Sequence, residues 1–423
     1  MKLLVIGGGG REHAIVWKLK QNPTIKKIYC IPGNGGISQL AECVPLPLND
    51  FSAIARFVEE KGIQHTVVGP EQPLVWGIVD FFRERKLPVF GPDAAGARIE
   101  GSKIFSKNLM KKYGIPTAAF AEFEESKKAL VYLDSLPEGP VVVKADGLAA
   151  GKGSVVCDDV NAARRAVRAM METKVFSDAG SRIVIEEFME GEEASLFVVS
   201  DGKDYRLLAP AQDFKRALDD DQGRNTGGMG SYSPPAPFTA KLQETAVRTI
   251  VEPTLDALAS EGIAYTGILY CGLMLTREGP KVIEFNCRLG DPETQVVLPR
   301  LTTDLWEIVQ AVEEQRVGEL KIETDTRTAL CVVAASGGYP DGYQKGKLIS
   351  GLEAASEDGL IFHAGTRREG NAFYTDGGRV LAVTSLANDL EEAIAKAYRA
   401  MEKIHFDRMH YRKDIGRRAL RQQ

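Results

Sequence analysis

The sequence predicts a multidomain protein of α/β and α+β class. An open parallel α/β domain comes first, a central mixed domain follows, and a small α+β domain ends the chain. Three observations carry that expectation. At 423 residues the chain exceeds what one hydrophobic core ordinarily supports. Its first hundred residues alternate short apolar runs with amphipathic segments, the pattern of βα units in a parallel sheet. Its last hundred hold several strand-like runs closed by one segment of helical period. We expect domains over 1–102, 103–326 and 327–423.

Composition narrows the class. With 44% hydrophobic and 26% charged residues the chain has an ordinary globular balance. It holds no apolar run long enough for a membrane span, and Met1–Ile6 leads into glycines too quickly for a signal peptide. A net charge of −5 argues against a nucleic-acid binder. The six cysteines (Cys30, Cys43, Cys157, Cys271, Cys287 and Cys331) are scattered without metal-ligand or disulfide spacing, which fits a reducing cytoplasm.

Taken in order, 2–6 reads as a buried strand, 7–13 as the glycine turn Gly-Gly-Gly-Gly-Arg-Glu-His, and the residues to about 20 as a helix. Helix N-termini offer amides to anions. The dinucleotide fingerprint fails, because the third glycine is absent and the strand at 28–31 ends in Pro32-Gly33-Asn34 rather than an acid. A single phosphate is the expected ligand of this turn, if it is more than a packing device. A helix near 52–61, a strand at 65–68, a helix near 74–85 and a strand at 89–90 continue the alternation. Gly69-Pro70-Glu71 falls at a strand's carboxyl end, where such sheets receive ligands; Glu71 reads equally well as a helix-initiating acid. A helix then runs from about 103 to 112, stopped by Gly114 and Pro116.

The block 140–157 superficially looks like a phosphate-binding P-loop, but Lys152 precedes Gly153 instead of Ser or Thr, and a strand follows. It reads as a glycine-rich hairpin lid with Lys144 on the strand before it. Glycines let backbone amides approach phosphate oxygens. Residues 183–195 read as one strand ending in a cluster of acids, and 214–230 as a long polar loop, a kind usually functional or disordered. A helix at 242–261 and strands at 267–275 and 281–286 come next. After a helix near 303–314, strands at 329–335, 361–363 and 379–384 precede the last helix, 390–404, with Leu390, Ala393, Ile394, Ala397 and Met401 at helical spacing. His363 and His405 read as ordinary packed or surface residues.

The richest stretch is 282–295. Strand alternation puts Glu284, Asn286 and Arg288 on one face and Ile283, Phe285 and Cys287 on the other. A carboxylate and an amide oxygen are hard ligands suited to Mg²⁺, and a guanidinium is a fixed fork for an oxyanion. The bland alternative is a sheet edge with a surface salt bridge.

The two lysines, glycine hairpin, acid-rich strand and Glu-x-Asn strand together resemble an ATP-grasp nucleotide site over roughly 103–314. The turn 7–13, the segment 214–230 and Arg288-Leu-Gly-Asp-Pro-Glu-Thr-Gln295 resemble the phosphoribosylamine–glycine ligase (glycinamide ribonucleotide synthetase) family, in family order over nearly the whole chain. The resemblance implies a central ATP-grasp fold with a lid subdomain over about 117–193. It implies ligation of glycine to 5-phosphoribosylamine through glycyl phosphate, in the second step of de novo purine (IMP) synthesis. ATP would be a substrate, with Mg²⁺ (Mn²⁺ as an alternative) at Glu284 and Asn286. Lys103, Lys144 and Gly151-Lys152-Gly153 would hold the nucleotide phosphates, Glu186, Glu187, Phe188 and Met189 adenine, and Glu193 ribose. Lys215 and Arg288 would be catalytic. Gly290, Asp291, Pro292 and Glu293, with Gly9, Gly10, Pro70 and Glu71, would contact glycine or phosphoribosylamine. A monomer with small-molecule partners, no nucleic acid and no membrane is expected. One departure stands out: many ATP-grasp enzymes carry another metal-binding acid where this chain has Gly272. The rivals are a nicotinamide-dependent oxidoreductase, against which the missing ribose acid counts, a non-catalytic ATP-binding regulator, and an ATP-grasp enzyme that joins another acid and amine.

Overall fold

The computed structural model describes residues 1–149 and 153–420. The N-terminal sheet is wholly parallel, in the order Glu42–Cys43, Lys27–Pro32, Lys2–Gly7, His65–Val68, Val89–Phe90. Leu3 to Ile6 is fully buried, as a central strand covered on both faces requires. The chain leaves this strand in opposite directions across the sheet, so the ends at Gly7 and Gly69 flank a topological switch point. Gly7 has φ +123°, and a Cβ there would lie 2.4 Å from Glu12 Cγ, so the turn needs glycine.

Two helix expectations change here. The single helix expected over 74–85 is two, Glu71–Val75 and Ile78–Glu84, broken where Gly77 takes φ +88°. A further helix, Ala94–Gly101, precedes the expected one, now Lys103–Tyr113. Asp93 and Ser102 cap them in turn, each accepting an amide N–H three residues on.

The glycine-rich hairpin is present as Val141–Ala145 paired with Ser154–Cys157, Lys144 opposite Ser154. It belongs to a four-stranded antiparallel sheet ordered Phe120–Phe123, Ile183–Glu187, Val141–Ala145, Ser154–Cys157. Helices Ser126–Asp134 and Val160–Met171 contribute to the apolar core of this unit, whose buried residues are distinct from those of the other cores among the described residues. The chain enters the unit along Phe120–Phe123 and leaves it along Ile183–Glu187, and these two strands are paired.

The segment 183–195 is not one strand. It divides at 188–191, and Glu192–Asp201 opens a second antiparallel sheet with Tyr205–Leu207, Thr266–Thr276 and Gly279–Asn286. The expected loop at 214–230 is also structured. It forms the hairpin Arg216–Leu218 and Gln222–Asn225, followed by the strand Gly230–Ser233. Its alternation is too short to register as an apolar period, and its stability comes from partners remote in sequence. Gly230–Ser233 pairs with Thr328–Ser336, joining a sheet that contains Arg379–Ala387, Leu360–His363 and Met409–His410. Leu390–Lys403 buries the face expected of it, Leu390, Ala393, Ile394, Ala397 and Met401. One apolar cluster links the N-terminal sheet, helix Leu305–Glu313 and this C-terminal sheet. Among the described residues, no helix is long and apolar enough to cross a membrane.

Candidate functional site

A cleft of about 390 Å³ runs between the hairpin-bearing sheet and the body. Strand Gly279–Asn286 forms its floor. The register slips by one residue, Gly272 facing Glu284 while Leu273 faces Val282, so Ile283 is an extra residue of the kind that bends a strand. The expected face partition holds from Glu284 onward but not at Ile283. That residue borders the cleft with Glu284, and its carbonyl accepts a hydrogen bond from Lys144 Nζ at 2.8 Å. Phe285 and Cys287 are buried, as expected.

Glu284 is half-buried. Burial opposes its ionisation, but Lys103, Lys144, Lys215 and Arg288 outweigh it and hold the carboxyl below its ordinary range. Asn286 Oδ1 lies 3.3 Å from Arg288 Nη2. Arg288 donates from Nε to Glu71 at 3.1 Å and from Nη2 to Glu100 at 2.8 Å. Glu71 is thus an anchor of Arg288 as well as a wall of the cleft. Burial would raise its pKa, but the Arg288 and Arg11 guanidiniums hold it at about 2. Glu100, which the sequence reading passed over, accepts the Cys287 amide at 2.8 Å. Burial pushes it up, with Arg288 opposing.

At the adenine-binding end expected from sequence, buried Glu186 pairs with Lys144 at 2.9 Å and with Lys107 at 3.0 Å. Both pairs use Oε2, and Oε1 is buried with no hydrogen-bond partner among the described residues. Lys107 is a second omission of the sequence reading. Burial lowers its pKa to about 8, against the pull of Glu186. Its place was readable, since it follows Lys103 by four residues on one helix face. Lys103, Glu187, Phe188 and Met189 border the same end, as does Gly153, which leads into the second strand of the hairpin. Gly151 and Lys152 lie outside the described residues.

Lys215 is held on a structured strand end. Its Nζ bonds Glu193 and, at 3.0 Å, Asp213. Burial pushes Asp213 up to about 7, with Glu293 and Glu193 adding to the rise and Lys215 opposing it. Asp213 was legible as the residue two before Lys215 on an extended chain. Buried Glu293 accepts from Tyr270 Oη at 2.7 Å and Ser195 Oγ at 3.2 Å.

Asp291 meets Gln295 Nε2 at 2.8 Å, Arg379 Nη2 at 3.3 Å and the Arg11 amide at 3.4 Å. Burial would raise its pKa, but Arg379 and Arg11 hold it down. At the glycine turn, the Gly9 amide donates to Glu12 at 2.6 Å, the half of a capping box that a glycine N-cap can make. Of the candidates from sequence, Glu71, Lys103, Lys144, Gly153, Glu186 to Met189, Glu193, Lys215, Glu284, Asn286, Arg288, Asp291 and Glu293 line the cleft. Gly9, Gly10, Pro70, Gly290 and Pro292 are not among its lining residues. No cluster of three or more His, Cys, Asp or Glu that could hold a metal exists among the described residues. Glu284 and Asn286 both line the cleft, and a carboxylate with an amide oxygen could hold a cation that completes its shell with phosphate and water.

Models of three domains of one family match the chain in order. They are the phosphoribosylglycinamide synthetase N domain over residues 1–100, its ATP-grasp (A) domain over 101–294 and its C domain over 329–418. The chain is 48% identical over 423 residues to the phosphoribosylamine–glycine ligase of Ralstonia nicotianae, covering all of both. It is 47% identical over 416 residues to that of Caldanaerobacter subterraneus, covering 98% of this chain and 99% of the relative. The crystal structure of phosphoribosylamine–glycine ligase from Thermotoga maritima is similar with a TM-score of 0.85 and 35% identity, over 98% of this chain and 100% of that one. A Campylobacter jejuni biotin carboxylase, at 14% identity and TM-score 0.73 over 97% and 92% of the two chains, shares the fold alone.

Proposed function

Because this chain belongs to the phosphoribosylglycinamide synthetase family, we infer that it ligates glycine to 5-phosphoribosylamine with ATP, yielding glycinamide ribonucleotide, ADP and phosphate. It is an ATP-grasp ligase of purine biosynthesis acting on small molecules. The structural observation that carries the reading is one continuous cleft. Cations and an unpaired carboxylate oxygen lie at one end, Glu284, Asn286 and Arg288 in the middle, and the Asp291 turn at the other.

The residues fit their expected ligands. Glu186 Oε1 is a buried acceptor awaiting a donor, and an adenine amino group supplies one. Lys103 and Lys144, with the hairpin above them, suit the nucleotide phosphates, and Glu187, Phe188, Met189 and Glu193 the base and ribose. Glu284 and Asn286 would hold Mg²⁺, with Mn²⁺ as an alternative, and such an ion neutralises phosphate charge. In the reaction, a glycine carboxylate oxygen attacks the γ-phosphorus and ADP departs, giving glycyl phosphate. The phosphoribosylamine nitrogen then attacks the acyl carbon, phosphate leaves and the nitrogen loses a proton. Lys215 would be drawn from Glu193 and Asp213 onto the transferring phosphoryl group. Arg288, fixed by Glu71 and Glu100, would face the charge that develops on the acyl oxygen. Gly290, Asp291, Pro292 and Glu293 would border glycine and the acceptor amine, and Gly9, Gly10 and Pro70 would back the ribose phosphate. We assign 1–102, 103–326 (lid about 117–193) and 327–423 as its domains, and place it as a monomer in a reducing cytoplasm, a setting that suits six free thiols.

ADP release measured with MgATP, glycine and freshly made phosphoribosylamine, omitting each in turn, tests the reading. Release should require all three and should vanish in Glu284→Ala with the circular dichroism unchanged. Release indifferent to glycine would overturn it.

A further inference from the structure

Arg379 stands outside every motif used so far, on a strand of the C-terminal sheet, yet its guanidinium reaches the cleft. It makes four contacts from one planar group, one of them a longer approach of Nη1 to the Gly228 carbonyl at 3.4 Å. Nη1 donates to the carbonyl of Gly227 at 2.6 Å and to that of Asp291 at 2.6 Å, and Nη2 lies 3.3 Å from Asp291 Oδ2. Those partners belong to two loops that also touch each other, since a Cβ on Gly228 would lie 2.3 Å from Pro292 Cδ. One loop follows Lys215, whose carbonyl accepts the Thr226 amide at 2.8 Å. The other brings Asp291 to the Arg11 amide at the start of the first helix.

We propose that Arg379 is a positioning residue for the acceptor half of the reaction. By pinning Asp291 and residues 227–228 together, it fixes the wall against which phosphoribosylamine is held for attack on the acyl carbon. This rests on the ligase reading above. Lysine cannot substitute, because one ammonium lacks the planar fork that spans the carbonyls of both loops and a carboxylate. None of these contacts reaches Glu186, Lys144 or Lys107, so nucleotide binding should be indifferent to the change.

Arg379→Lys and Arg379→Ala, assayed by ADP release against each substrate, test this. Both should lose on the order of 100-fold in kcat/KM for phosphoribosylamine, the scale of a small misplacement of reacting groups. The KM for ATP should stay at the wild-type value, and guanidinium ion added to Arg379→Ala should restore part of the loss. A wild-type acceptor KM and kcat in Arg379→Lys, or an equal loss toward ATP, would overturn the proposal. If Arg379→Ala does not fold, Arg379→Lys alone decides. Wild-type enzyme that ignores glycine would instead sink the ligase reading, so the two failures are distinguishable.

Discussion

Two buried histidines, His13 of the glycine turn and His363, which reads from sequence as an ordinary packed or surface residue, contribute to how the protein responds to acid. His13 Nδ1 accepts the backbone N–H of His363 at 2.7 Å, joining the first helix to the C-terminal sheet. Burial, then the neighbouring His363, lowers His13 to a pKa of about 3, and burial lowers His363 to about 4. Unfolded, both titrate near their ordinary ~6.5. Between those values the unfolded chain binds protons that the folded chain refuses. Their stabilising effect is therefore complete above about pH 6.5 and falls as the pH drops toward 4, by up to ~1.4 kcal/mol per pH unit for each. Thermal melts at pH 7.5 and 5.0 should show a larger acid loss for wild type than for His363→Gln; equal losses would refute the assignment. Sequence alone could not expose this, because residues 13 and 363 meet only in the fold. The same distance in sequence hid Arg379, Glu100 and Tyr270. Glu284, Asn286 and Arg288 were legible because one strand and the two residues that continue it carry all three.

Elements whose apolar period exceeded a few residues could be read: the parallel strands, the glycine hairpin and the final helix all lie where expected. The hairpin at 216–225 could not, since a strap from the end of the chain fixes it. His410 Nε2 lies 2.7 Å from the Ala217 carbonyl. Arg412 donates to Asp221 at 2.9 Å, and the Lys413 amide donates to Asp219 at 2.7 Å. Arg418 pairs with Glu192. Arg412 is only 1% exposed, so its charge depends on these partners. Arg412→Met should loosen the hairpin. Amide hydrogen exchange across 216–225 should quicken on the order of tenfold, the effect of about 1.4 kcal/mol of local stability. The sheet around Lys2–Gly7 should keep its protection. Unchanged exchange in the hairpin would mean that its own short ladder suffices.

For the whole molecule, the apolar cluster uniting the N-terminal and C-terminal sheets makes one body of segments that sequence reading divides. The hairpin-bearing unit stands apart, with a core of its own and its entry and exit strands side by side, the Glu187 amide donating to the Ala119 carbonyl at 3.0 Å. Neighbouring ends are what make a segment insertable or removable without tearing its host. The unit is thus a graft: replacing 120–186 by a two- or three-residue turn leaves no long gap to bridge. Buried Lys107 would be stranded, having lost Glu186, so Lys107→Met should accompany the deletion; the Ile104 amide and the Ile283 carbonyl, which lose Asp146 and Lys144, would turn to water. The trimmed chain should melt cooperatively and bind no ATP, and failure to fold would mean that the body leans on its lid. If it folds, lids from other ligases of this architecture become exchangeable parts, and nucleotide preference could be transplanted separately from the choice of acid and amine.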